Sequence, residues 1–183
     1  MAQKNNKLKV GQNAPDFTIV DVNGNEVKLS NFKGKKVFIT LYRNVGCPVC
    51  NLRFHEIESI NDSLTSKNVV ILSVYESSVG NMKKYLEGES FKSIMIPNPD
   101  MSIYKSYGSE KSTSKFLKSL FQGAASKGSK GKKLFKSKIK QDGNSNRIGA
   151  EFLIDENGKI IISHYHKFVG DNLSTKFILD AVK

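Results

Sequence analysis

Apolar residues along this chain come in two rhythms, and the alternation between them lays out the fold. Val37-Phe38-Ile39-Thr40-Leu41-Tyr42 is a short β-branched and aromatic run, and Asn68 to Tyr75 is another. Continuous apolar runs of that length predict buried strands at 37–42 and 68–75, the second suited to the centre of a parallel sheet. Val49, Leu52, Ile57, Ile60 and Leu64 recur at helical spacing and predict a helix from about 48 to 66. Val79, Met82, Tyr85 and Leu86 predict a second helix, and Ser93 to Ile96 a strand stopped by Pro97-Asn98-Pro99. Met101, Ile103, Tyr104 and Tyr107 predict a short helix, and Phe116, Leu117, Leu120 and Phe121 an amphipathic one. At the N-terminal end, strands over 16–20 and 26–29 flank Asn23-Gly24, a strong hairpin signal. A second hairpin pairs 151–155 with 159–165 across Glu156-Asn157-Gly158. A last helix runs from about Asn172, with Leu173, Phe177, Ile178 and Val182 inward.

This order predicts an α/β protein: a central mixed β-sheet flanked by helices, with an N-terminal β-hairpin. No internal repeat is visible. At 183 residues and 38% hydrophobic composition, the chain buries one sizeable core, so residues 1–183 are expected to form one domain. The N-terminus lacks the apolar stretch of a secretory signal, and no long apolar segment follows, which predicts a cytoplasmic protein.

The net charge of +12 changes the picture less than it promises. Ten lysines and Arg147 lie between Lys111 and Arg147 against the single acid Asp142, so 11 − 1 = +10 of the charge is local. A basic insertion at about 112–146, rich in Lys, Gly and Ser over 126–133, is expected to be a solvated loop. It is also a candidate to contact phosphate or an acidic membrane surface. No aromatic stacking set or nucleic-acid module accompanies it, so a nucleic-acid partner is not expected.

Candidate chemistry sits in the only two cysteines, Cys47-Pro48-Val49-Cys50, between the strand at 37–42 and the helix that follows. Pro48 suits a first helical turn, which places Cys47 at the N-cap and Cys50 one turn on, on the same side. Unpaired backbone N–H groups and the helix dipole stabilise a thiolate at Cys47, and such settings lower a thiol pKa from about 8.5 to roughly 3.5–7.5. Arg43 and Arg53 are candidates to add to that field, depending on where their side chains point. In a reducing compartment, transient catalytic pairing is the natural use of two cysteines at this spacing. The alternatives are ordinary buried cysteines, or a zinc site completed by His164 and His166, which share a strand face. The chain order disfavours zinc, and neither metal nor cofactor is expected.

Four segments resemble the alkyl hydroperoxide reductase/thiol-specific antioxidant superfamily of thioredoxin-fold, peroxiredoxin-like proteins. They are Gly11 to Phe17 with Val27 to Lys36, then Arg43-Asn44-Val45-Gly46-Cys47-Pro48-Val49-Cys50, then Phe152 to Ile160, then His164 to Asn172. The second and fourth are similar to the selenoprotein U-like subgroup. The resemblance implies a thioredoxin-like fold and thiol redox chemistry, with Cys47 as nucleophile and Cys50 as resolving residue. Peroxiredoxins carry threonine or serine three residues before the attacking cysteine and proline seven before it; here Asn44 and Thr40 stand there. Gly149 stands where they place an arginine, with Arg147 two residues earlier.

The resemblance further implies reduction of hydroperoxides through a sulfenic acid at Cys47 that Cys50 converts to an internal disulfide, reset by thioredoxin or a small thiol. Tyr42, Arg43, Asn44 and Arg147 are the candidate activating or pocket residues. One alternative is a thioredoxin-like oxidoreductase acting on protein disulfides. Another is a non-enzymatic redox-sensing or anion-binding module that uses the basic insert. Tyr75 is a second candidate to line the pocket, and His55 to tune Cys50. A homodimer is left open.

Overall fold

The computed structural model describes residues 7–136 and 139–183. The first hairpin pairs β1 (Thr18–Val20) antiparallel to β2 (Glu26–Lys28) and leads through a 3-10 turn, Leu29–Phe32, into β3 (Lys36–Leu41). Helices α1 (Pro48–Glu58) and α2 (Asn61–Thr65) follow, then β4 (Val69–Tyr75), α3 (Val79–Leu86), β5 (Ile94–Pro97) and α4 (Ser102–Ser106). Next come α5 (Thr113–Leu120), α6 (Ala124–Lys132), the pair β6 (Ala150–Ile154) and β7 (Ile160–Tyr165), and finally α7 (Thr175–Ala181).

The main sheet has the order β5-β4-β3-β6-β7. β3, β4 and β5 run parallel, whereas β6 is antiparallel to β3 and to β7, giving the mixed sheet read from the sequence. The central strands are buried along almost their whole length, which is why they read as continuous apolar runs rather than alternating ones. One face packs Leu41, Leu72, Val74, Tyr104, Tyr107 and Phe152 under the N-terminal segment and α4, and the other packs Phe38, Ile71 and Leu153 against Ile57, Leu64 and Ile178.

Several boundaries differ from the pattern. The helix expected over 48–66 is two helices, because Ile60 leaves helical geometry (φ −110°, ψ 6°) and Ser59 turns its hydroxyl back onto the Glu56 carbonyl. The last helix starts at Thr175, where the Ser174 hydroxyl accepts from Phe177 N and caps it; Phe177, expected inward, is half exposed. The expected amphipathic helix exists as α5, but Leu117, Leu120 and Phe121 face outward. The larger correction is α6. Residues 124–132 form a helix laid against α1, where their Gly, Ser and Lys composition predicts a solvated loop. Among the described residues, no helix is long and apolar enough to cross a membrane.

Candidate active site

The site is built where β3 ends and α1 begins. Tyr42 and Arg43 leave the strand, a turn closes with Cys47 N donating to Asn44 O at 3.1 Å, and Pro48 opens the helix. Cys47 is the N-cap, in extended conformation (φ −79°, ψ 115°), and its sulfur accepts from Cys50 N at 3.2 Å. A sulfur thus fills the role an N-cap oxygen ordinarily plays for an orphan helix donor, and the same contact favours its thiolate.

Arg43 supplies the counter-charge. Its Nη2 donates to Cys47 Sγ at 3.0 Å, its Nη1 donates to Ser145 O at 2.6 Å, and its guanidinium lies over the Phe116 ring at 5.6 Å. Burial pushes the Cys47 thiol up, but the hydrogen bonds from Cys50 and the charge of Arg43 outweigh it and bring it down to about 6. Cys50 moves the other way: burial, its hydrogen bond to Cys47 and the Cys47 charge hold it well above the usual thiol range. The two thiols are therefore set as one ionised and one protonated sulfur at neutral pH. Both are free.

The basic segment closes over this pair. A methyl group on Gly131 of α6 would sit 1.8 Å from Pro48 O, and one on Gly46 would sit 2.9 Å from the backbone at Lys140 and Gln141. Asn51 Nδ2 donates to Gly131 O at 3.0 Å, and Lys127 Nζ donates to Gly170 O at 2.5 Å. Asp142, the segment's only acid, accepts from Ser77 Oγ (2.6 Å) and Ser78 N (3.0 Å), while Ser77 Oγ accepts from Val45 N in the cysteine loop (2.9 Å). The result is a Cys47 that is 0% exposed and a Cys50 that is 7% exposed.

The predicted residues divide into two groups. Arg43 touches the sulfur; Tyr42, Arg43, Val49, Cys50, Arg147 and His166 border one small cavity, which Cys50 lines and Cys47 does not. Asn44 is buried in the loop with its Oδ1 unpaired, and the buried Tyr42 hydroxyl is also unpaired. Arg147 donates to Glu76, to Ser109 O (2.9 Å) and to Met101 Sδ (3.2 Å), so its hydrogen bonds go to the framework. Tyr75 stacks on Tyr42 at 4.6 Å in the core rather than lining the cavity, and His55 packs edge-on against Phe91. Arg53 is buried in an ion pair with Glu151 at 2.6 Å. The Cys2His2 arrangement is not formed: among the described residues, the donors that come together are Glu151, His164 and His166, without either cysteine.

Glu76 and Glu151 escaped the sequence reading. Each carried a signal, an acid at the end of or within an otherwise apolar strand, which requires a buried cation opposite it.

Comparison with known proteins settles the family. The alkyl hydroperoxide reductase and thiol-specific antioxidant (AhpC/TSA) family model matches residues 10–163. The chain belongs to the AhpC/TSA family. A "Putative peroxiredoxin bcp" of Helicobacter pylori is 29% identical over 105 residues, 56% of this chain and 69% of that protein. Among solved structures, the peroxidoxin BcpB of Mycobacterium tuberculosis superimposes with a TM-score of 0.69 at 14% identity, covering 96% of each chain. A putative thiol:disulfide interchange protein DsbE of Chlorobium tepidum superimposes with a TM-score of 0.66 at 20% identity, covering 97% of this chain and 100% of its own. The fold of this AhpC/TSA member is thioredoxin-like, and the protein is an oxidoreductase of the thiol redox, peroxiredoxin-like kind.

Proposed function

We propose that this AhpC/TSA protein reduces hydroperoxides, with Cys47 as the attacking thiolate and Cys50 as the resolving thiol. One observation carries the reading: Cys47 Sγ is wholly buried and held 3.0 Å from Arg43 Nη2. A sulfur buried this completely is out of reach of a protein disulfide, which needs its attacker at the surface, and leaves a small oxidant as the partner.

In the first step, the Cys47 thiolate attacks one peroxide oxygen, an S–O bond forms as the O–O bond breaks, and the leaving alkoxide or hydroxide takes a proton from solvent. Cys47 becomes a sulfenic acid. Arg43 is placed to stabilise the negative charge as it moves from sulfur to the leaving oxygen. It stands in for the arginine that peroxiredoxins carry where this chain has Gly149. In the second step, Cys50 sulfur attacks the sulfenic sulfur, water leaves with the Cys50 proton, and the Cys47–Cys50 disulfide forms. The 1–4 spacing across the first turn of α1 supports this closure. Two electrons from thioredoxin or a small thiol then restore the dithiol.

The test is turnover of hydrogen peroxide and an organic hydroperoxide with a dithiol reductant, run beside reduction of insulin disulfides. Peroxide consumption that needs Cys47, with little insulin reduction, supports the reading. Insulin reduction without peroxide consumption replaces it with a disulfide oxidoreductase.

A further inference from the structure

We propose that Glu151, His164 and His166 form a binding site for a divalent first-row transition ion of the Zn2+ class, separate from the dithiol. The strands bring these residues together. Glu151 on β6 lies directly opposite His164 on β7, so the two side chains share a sheet face. His166, two residues on, falls on that face again, and its N–H still pairs with Gly149 O at 3.1 Å. One donor atom from each residue lies within 4.8 Å of the other two. Two imidazoles and a carboxylate are a donor set for zinc and its neighbours rather than for Mg2+ or Ca2+.

The hydrogen bonds leave one ring nitrogen of each histidine without a partner. His164 Nε2 lies 2.6 Å from Asp171 O, and because a carbonyl only accepts, Nε2 carries the proton and Nδ1 keeps its lone pair. A backbone carbonyl behind a histidine is the arrangement that orients a metal ligand. The His166 ring is buried with its Nε2 free of any hydrogen bond, and it faces Glu151 Oε2 at 3.8 Å, ion-pair range for a protonated ring and a gap a metal ion fills for a neutral one. An ion between them gives the His166 nitrogen the partner it lacks. Glu151 is held ready: Oε1 accepts from Arg53 Nε at 2.6 Å and Oε2 from Leu173 N at 2.8 Å. Arg53 already balances the carboxylate, so a solvent molecule would supply any further ligand. His164 is partly exposed.

The experiment is calorimetric titration of ZnCl2 into the full chain carrying Cys47→Ser and Cys50→Ser, so that no thiolate competes, with melting curves recorded with and without the ion. The expected result is one ion per chain, a raised melting temperature, and affinity at least about tenfold weaker in His164→Ala. His166→Gln is expected to abolish binding, and His55→Ala to leave it unchanged. His164 is partly exposed, so its variant keeps the test open if His166→Gln fails to fold. No binding, or binding indifferent to His164→Ala, overturns the site.

Discussion

Gly131 of α6 meets Pro48 of α1 with so little space that a single methyl group would lie 1.8 Å from the Pro48 carbonyl oxygen. That contact ties the lysine-rich segment to the helix that carries the dithiol. Because the obstacle is backbone, Gly131→Ala separates the two helices. Overpacking of this kind costs about 1–3 kcal/mol, which urea denaturation measures. Cys47 also becomes reachable, so a bulky maleimide reacts faster with the variant than with the native protein. Equal rates would mean that α6 is not the cover.

The Arg43 contact makes a prediction in pH. Alkylation of the reduced protein by a small reagent follows thiolate and rises with a midpoint at about pH 6. Arg43→Met moves that midpoint up toward the ordinary thiol value of about 8.5. The folded state binds the proton less tightly than the unfolded chain does. The thiolate's contribution to stability is therefore complete above the ordinary thiol range and lost as pH falls through about 6. Cys47→Ser flattens that part of the stability profile, as chemical denaturation across this range checks.

Arg147 is predicted to behave differently from Arg43. It is buried and paired with the fully buried Glu76, which also accepts from Asn144 N at 2.7 Å. Arg147→Met strands that carboxylate and costs about 3–5 kcal/mol of stability by urea denaturation. The Cys47 titration midpoint stays in place, because the contacts to the sulfur come from Arg43 and Cys50 N. A midpoint shift as large as that of Arg43→Met would assign Arg147 a direct part in activating the thiol.

The dithiol geometry was legible in the sequence because it depends on local rules. An apolar run, a Cys-Pro pair and a helical stripe together place Cys47 at an N-cap wherever the chain goes afterwards. The strands were legible for the same reason, since β3 and β4 are buried on both faces. The cover was not. Residues 124–132 have the composition of a linker, and their helix is held by long-range contacts such as Asn51 to Gly131 O and Lys127 to Gly170 O, which no local pattern announces. Arg43 and Arg147 looked equivalent as charges near the motif. Only the partners Glu76 and Ser145, distant in sequence, separate their roles.

Cys50→Ser removes the thiol proposed to resolve the sulfenic acid while keeping the backbone N–H that Cys47 accepts from. After one equivalent of hydrogen peroxide, this variant accumulates Cys47 sulfenic acid, detected by dimedone addition and intact mass. The native chain under the same conditions loses two thiols and gains no adduct. A dimedone adduct on the native chain as abundant as on the variant would remove Cys50 from the resolving role.

The most direct test of the account is the stopped-flow rate at which hydrogen peroxide oxidises the reduced protein at neutral pH, compared with a free thiol of similar pKa and with Arg43→Met. The account predicts a rate orders of magnitude above the free thiol, abolished by Cys47→Ser and sharply reduced by Arg43→Met even at a pH where the variant is fully ionised. A rate no faster than the free thiol would contradict it and leave a dithiol that exchanges with disulfides but does not activate peroxide.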